Sequence, residues 1–185
     1  MIQKEKTLTV FGGAFKPPTR GHFNIVKWAL INNPHTEEVR VYVGGGERDG
    51  VTQIQSIFIW NVYRKYLDPK VKIIPIEAPI KEIYKIARKN PKQKINMIIG
   101  YRLDNKKDLG DVWRRTKDLP LNVDVQIHTS RDEGLSGTQA RNAFRDSKEL
   151  FIKSLPKELS DIEVSNIFNL LNNKTPQKID NKIWI

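Results

Sequence analysis

Five short apolar runs alternate with segments whose apolar residues recur at three and four, and that alternation restricts the chain to a parallel sheet with helices on both faces. The runs are Thr7–Phe11, Val39–Val43, Val71–Ile74, Ile95–Ile99 and the alternating Val123, Val125 and Ile127. The intervening helical patterns span Phe23–Leu30, Gln53–Tyr66 behind a Thr52 cap with Ile54, Ile57, Phe58, Val62 and Tyr63 on its apolar face, and Ile80–Lys89 behind Pro79, with a further helix opening at Ser136. Right-handed crossovers then predict a Rossmann-like, doubly wound α/β sheet of five parallel strands in the order 3-2-1-4-5. At 185 residues the chain suits one domain, taken as 1–156, with a C-terminal helix and tail over 157–185 packed on it.

The first strand-to-helix junction carries the most chemistry. Val10 to His22 reads VFGGAFKPPTRGH. Gly12 and Gly13 permit close backbone approach, and the helix that follows aims unpaired N–H groups and a positive dipole end at the bend. Lys16 adds a mobile cation, Pro17 and Pro18 stiffen the turn, and Thr19 and His22, three apart, are placed to face a bound phosphate. Gly21 leaves room beside the imidazole. His22 also shares a helical face with Val26, Ala29 and Leu30, so it reads equally as a core histidine with a satisfied hydrogen bond.

Ligands in an open parallel sheet sit outside the C-terminal strand ends, and three more segments lie there. Gly44–Gly50 reads as a flexible loop whose Arg48 either closes over a phosphate or is solvated. Gly100-Tyr-Arg-Leu-Asp104 follows the most apolar strand, with Arg102 and Asp104 readable as a loop ion pair. In Gly134–Arg141, Ser136 and Gln139 have the spacing of a capping box, while Thr138, Arg141 and Arg145 fall on one side of the new helix. A guanidinium at Arg141 can fork onto phosphate oxygens as lysine cannot. Trp60 and Trp113 read as packing residues.

Two of these stretches resemble the signatures of one superfamily. GGAFKPPTRGH is similar to the first motif of the nucleotidyltransferases, usually written H-x-G-H, with Thr19 in place of the first histidine as in bacterial phosphopantetheine adenylyltransferases. LSGTQAR, residues 135–141, is similar to the second, I-S-S/G-T-x-x-R, matching at Ser136, Gly137, Thr138 and Arg141. The resemblance implies His22, Lys16 and Thr19 as the catalytic set, and Gly12, Gly13, Phe15, Gly21, Ser136, Gly137, Thr138 and Arg141 as nucleotide-binding. It further implies Arg48, Arg102 and Asp104 at the acceptor or a phosphate, and magnesium carried by the nucleoside triphosphate, with no protein metal site.

The expected activity is transfer of a nucleotidyl group, AMP from ATP favoured, onto a small phosphorylated acceptor with release of pyrophosphate. A cytidylyltransferase using CTP, or a non-catalytic nucleotide- or nucleic-acid-binding module, stands as the alternative. With 32 basic against 21 acidic residues the chain carries +11, which fits anionic partners, but the basic residues are scattered and do not favour nucleic acid. Absence of cysteine excludes thiolate chemistry and disulfides, and no run of ~18 apolar residues marks a membrane span. A soluble, cytoplasmic protein is expected, with homo-oligomerisation left open.

Overall fold

A computed structural model describes residues 7–102, 106–130 and 135–172. Asp104, Gly134 and the 173–185 tail lie outside the described residues. The elements are β1 (Thr7–Gly13), α1 (Arg20–Asn32), β2 (Thr36–Gly44), β3 (Glu47–Arg48), β4 (Val51–Thr52), α2 (Gln53–Arg64), β5 (Val71–Ile76), α3 (Pro79–Lys89), β6 (Lys94–Arg102), α4 (Lys106–Thr116), β7 (Val123–Ser130), α5 (Gly137–Asp146), α6 (Lys148–Ile152) and α7 (Asp161–Asn172).

Five strands form a parallel sheet in the order β5-β2-β1-β6-β7. Counting only these long strands, that is the expected 3-2-1-4-5. The central pair is buried on both faces, which is why β1 and β6 read as continuous apolar runs rather than alternating ones. Phe11 and Ile98 join one core, with Phe23 and Val26 of α1, Ile59, Trp60 and Tyr63 of α2, and Ile167 of α7. Leu8, Val10, Ile95, Met97 and Ile99 join the other, with Ile83 and Ala87 of α3 and Val112 of α4 packed on it. β7, alternating and less apolar, takes an edge, and its Ile127 is exposed.

Local chemistry sets the helix starts. Thr52 and Gln55 form a capping box at α2, and Pro79 opens α3, where its missing N–H costs nothing. α7 is pinned to α2 by Gln55 Nε2, which donates to the Leu170 carbonyl at 3.0 Å.

Three local expectations need correction. Gly44–Gly50 contains half of a tight hairpin rather than only a flexible loop: β3 and β4 pair antiparallel around Asp49-Gly50. Both central residues lie at positive φ, 52° and 83°, as a type I′ turn requires, and Asp-Gly is a strong signal for that turn. Trp113 is 66% exposed and anchors no packing, because α4 buries the face carrying Val112 and turns Leu109 and Trp113 outward. Ile54 is likewise exposed, since the buried face of α2 runs through Ile57, Trp60 and Tyr63.

Candidate active site

β1 passes to α1 on one face of the sheet and β6 to α4 on the other, so the chain diverges between their C-terminal ends and leaves a crevice. A cleft of about 770 Å3 opens there. Gly12, Gly13, Phe15, Lys16, Thr19, Gly21 and His22 line it from the β1–α1 side. Ser136, Gly137, Thr138 and Arg141 line it from the start of α5, Arg48 from the hairpin and Arg102 from β6. Every described candidate from the sequence therefore borders one cavity.

His22 sits at the third position of α1, with Thr19 as N-cap. The Thr19 main-chain N–H donates to His22 Nδ1 at 3.0 Å, and the Thr19 hydroxyl lies 3.0 Å from the same nitrogen. An Nδ1 that accepts carries no proton, so the tautomer is fixed with the proton on Nε2. Enclosure by protein and the positive charge of Arg102 push the imidazole pKa down to about 4. The ring is thus a neutral donor at pH 7. Thr19 is buried, and its donors address the imidazole rather than open space, so it orients His22 from behind.

Phe15 lies at φ 51°, a strained conformation for a bulky side chain, costing on the order of 1–3 kcal/mol. Its ring pays for this by packing edge-on to His22 at 5.0 Å and to Trp60 at 5.3 Å, with Phe11 at 5.0 Å. Trp60 is accordingly a packing residue, fully buried beneath the turn. The Tyr63 hydroxyl donates to the Pro18 carbonyl at 3.1 Å and fastens the turn to α2. Gly13 is required by proximity, because a Cβ there would meet the Phe15 ring at 2.9 Å.

Lys16 is not the mobile cation expected from sequence. It is 3% exposed, and Nζ donates to the carbonyls of Gly44 at 2.7 Å and Ala14 at 3.0 Å, bridging the ends of β2 and β1. Burial, aided by the nearby Arg48 charge and opposed by Glu77, lowers its pKa to about 8.

Ser136 caps α5, accepting from Gln139 N–H at 3.2 Å while Gln139 Oε1 accepts from Ser136 N–H at 2.9 Å. The capping box read from the sequence is therefore present, and Ser136 and Gly137 at its start also border the cleft. Arg141, 7% exposed, donates from Nε to Asp49 Oδ2 at 2.6 Å, from Nη1 to the Lys16 carbonyl at 2.6 Å, and from Nη2 to Thr138 Oγ1 at 3.3 Å. These bonds use three of its five N–H donors and join the two motif segments directly. Arg145 reaches Asp49 O at 3.5 Å.

The far wall comes from α4, whose contribution sequence reading missed: Tyr101 of β6 and Asp108, Asp111, Arg114 and Arg115 all border the cleft. Arg102 makes a bidentate pair with Asp108 of α4 at 2.8 and 2.9 Å, while the loop carboxylate read from sequence, Asp104, lies outside the described residues. Arg102 holds the Asp108 carboxyl below its ordinary range. Arg115 pairs with Asp111 at 2.6 Å and donates to the Gly12 carbonyl at 3.3 Å. The available signal was Asp108, Asp111 and Arg115 at spacings of three and four on the helix following the central strand.

Among the described lining residues, Lys16, Arg48, Arg102, Arg114, Arg115 and Arg141 face only Asp108 and Asp111. Such a cleft attracts polyanions. No group of three or more His, Cys, Asp or Glu able to hold a metal occurs among the described residues. No described helix is long and apolar enough to cross a membrane.

The architecture is that of a Rossmann-like, doubly wound α/β protein. A solved structure with this fold is Plasmodium falciparum nicotinic acid mononucleotide adenylyltransferase complexed with APC, which aligns over 90% of this chain and 98% of its own at a TM-score of 0.64 and 11% identity. No protein-family model and no curated protein matches the sequence.

Proposed function

We propose that this protein is a nucleotidyltransferase that moves a nucleotidyl group, AMP from ATP favoured, onto a small phosphorylated acceptor and releases pyrophosphate. The observation that carries this reading is the meeting of His22 and Arg141 in one cationic cleft, with Arg141 bonded to the Lys16 carbonyl across 125 residues of sequence. The adenylyltransferase neighbour, bound to a nucleotide analogue, agrees with the nucleotide part.

In this reading an acceptor oxygen attacks the α-phosphorus as the bond to the bridging oxygen breaks, and the electron pair leaves with pyrophosphate. The reaction runs on positioning and charge stabilisation, with no covalent enzyme intermediate. His22 Nε2–H donates to the α-phosphoryl and leaving oxygens, with Thr19 holding the ring. Lys16 supplies positive charge beneath the turn. Ser136, Thr138, the Gly137 backbone and the unused N–H groups of Arg141 hold the β- and γ-phosphates, and Arg48 covers them. Gly12, Gly13, Phe15 and Gly21 shape the wall against which the nucleotide lies. Arg102 serves the acceptor side, with Asp104 kept in the proposal by sequence alone. Magnesium belongs to the substrate, entering on the triphosphate and offsetting its charge.

The test offers ATP, CTP, GTP and UTP with magnesium and a panel of phosphorylated acceptors, reading pyrophosphate. Release that depends on both nucleotide and acceptor supports the proposal, and preference for CTP moves it to a cytidylyltransferase. Absence of release from every pair, together with salt-sensitive binding of RNA or DNA, replaces it with a nucleic-acid-binding module.

A further inference from the structure

We infer that Asp49 is a positioning residue for the polyphosphate arm of the site, acting through Arg141. This inference rests on the nucleotide-binding reading above. Asp49 is not among the residues that line the cleft, so beyond the through-space effect of its charge it acts on a ligand only by way of the residues it touches. What it touches is Arg141, whose Nε donates to Oδ2 at 2.6 Å, and Arg145, which reaches its carbonyl at 3.5 Å.

The backbone is built to deliver this contact. Asp49 occupies the first central position of the β3–β4 turn at φ 52°, followed by Gly50 at φ 83°, so the carboxylate stands at the apex of a hairpin rather than on a wandering loop. The preceding residue of the same hairpin, Arg48, does line the cleft. One ion pair thereby fixes two cations: it sets the edge of Arg141 that remains for a ligand, and it anchors the strand that carries Arg48. The Arg141 side is 8% exposed and the Asp49 side 50%, so the pair is sheltered on the arginine side and its geometry is held by two further Arg141 bonds, to Lys16 O and Thr138 Oγ1.

Positioning and simple electrostatics predict opposite signs. A carboxylate near a polyanion site repels the ligand, so its removal should tighten nucleotide binding if charge alone matters. If Asp49 positions Arg141 and Arg48, removal should weaken it. Asp49→Asn keeps the turn, because Asn-Gly suits type I′ at least as well, and loses only the charge. Asp49→Gly keeps the turn and loses the whole side chain. Both variants should retain the thermal unfolding midpoint within a few degrees.

The experiment titrates the full chain and both variants by calorimetry with the nucleoside triphosphate that wild type binds most tightly, with magnesium, and measures KM for nucleotide and acceptor separately. The expected result is nucleotide binding weaker by about tenfold in Asp49→Gly, less in Asp49→Asn, with acceptor KM unchanged, as loss of a charge-assisted contact predicts. Equal or tighter nucleotide binding in both variants overturns the inference while leaving the proposed function standing. A wild-type chain that binds no nucleoside triphosphate removes the proposed function itself, and the inference with it.

Discussion

The Thr19 main-chain N–H donates to Nδ1 of His22 at 3.0 Å, which leaves the proton of the neutral ring on Nε2 of a side chain that lines the cleft. Two substitutions separate the ring from its support. His22→Ala removes the donor and should lower turnover on the order of 100-fold or more. Thr19→Ala keeps the main-chain donor and loses only the hydroxyl 3.0 Å away, so turnover should fall less than about tenfold. Pyrophosphate release under saturating substrates checks both, and normal turnover in His22→Ala would remove the imidazole from the chemistry.

The pH dependence follows from two lowered pKa values. Lys16, brought to about 8 by burial and by Arg48, is charged below that value and loses its proton above it. His22, at about 4, stays a neutral donor until the pH falls to that value. The profile of kcat/KM should therefore be level between about pH 5 and 8 and decline above about 8, with no inflection near 6.5. Arg48→Gln, by removing a repelling cation, should shift the alkaline limb to higher pH. An inflection at 6.5 would mean that His22 titrates as an ordinary histidine.

Gly13→Ala tests the turn. The added Cβ would stand 2.9 Å from the Phe15 ring, which is held between His22 and Trp60 and has little room to retreat. The cost should be about 1–3 kcal/mol, read as a lower unfolding midpoint, together with lost turnover as the ring presses on the imidazole. A fully active, equally stable variant would show that Phe15 yields freely.

Glu163 fastens the start of α7. It accepts from the Tyr66 hydroxyl at 2.6 Å, from Ser160 N–H at 3.1 Å and from Lys65 at 3.0 Å, and these bonds, the tyrosine's foremost, bring its pKa from 4.5 to about 2. A lowered carboxyl pKa contributes stability above about pH 4.5 that is lost as pH falls toward 2. Glu163→Gln should cost on the order of 1 kcal/mol at pH 7, because the cluster borders solvent. The gap between the two unfolding midpoints should narrow below about pH 4.5 and close only as the pH reaches about 2.

Much of this was legible in the sequence, for identifiable reasons. Strand order follows from right-handed crossovers between alternating strands and helices, with the apolar continuity of Ile95–Ile99 against the alternation of Val123–Ile127 separating centre from edge. The described site candidates converged because each flanked the C-terminal end of a strand or a hairpin there. What escaped was three-dimensional detail on long side chains. Lys16 looked mobile because its sequence neighbours are glycines and prolines, whereas its partners are the carbonyls of Ala14 and, 28 residues away, Gly44. Trp113 looked buried because tryptophan usually is, while the buried stripe of α4 passes through Val112. Asp49-Gly50 carries a readable type I′ turn signal, but the three glycines upstream point to a flexible loop and mask it.

The bond from Arg141 to the Lys16 carbonyl also spans most of the order of synthesis, and under the proposed function it ties ligand capture to a late stage of it. One half of that contact is made among the earliest residues translated, and the other waits for β7 and α5 to emerge. A nascent chain halted before residue 141 holds the sheet's first strands without a partner for that carbonyl. Ligand capture should therefore switch on late and abruptly along the growing chain, and C-terminal truncations ending short of Arg141 should lose it while α1 through β6 are still encoded.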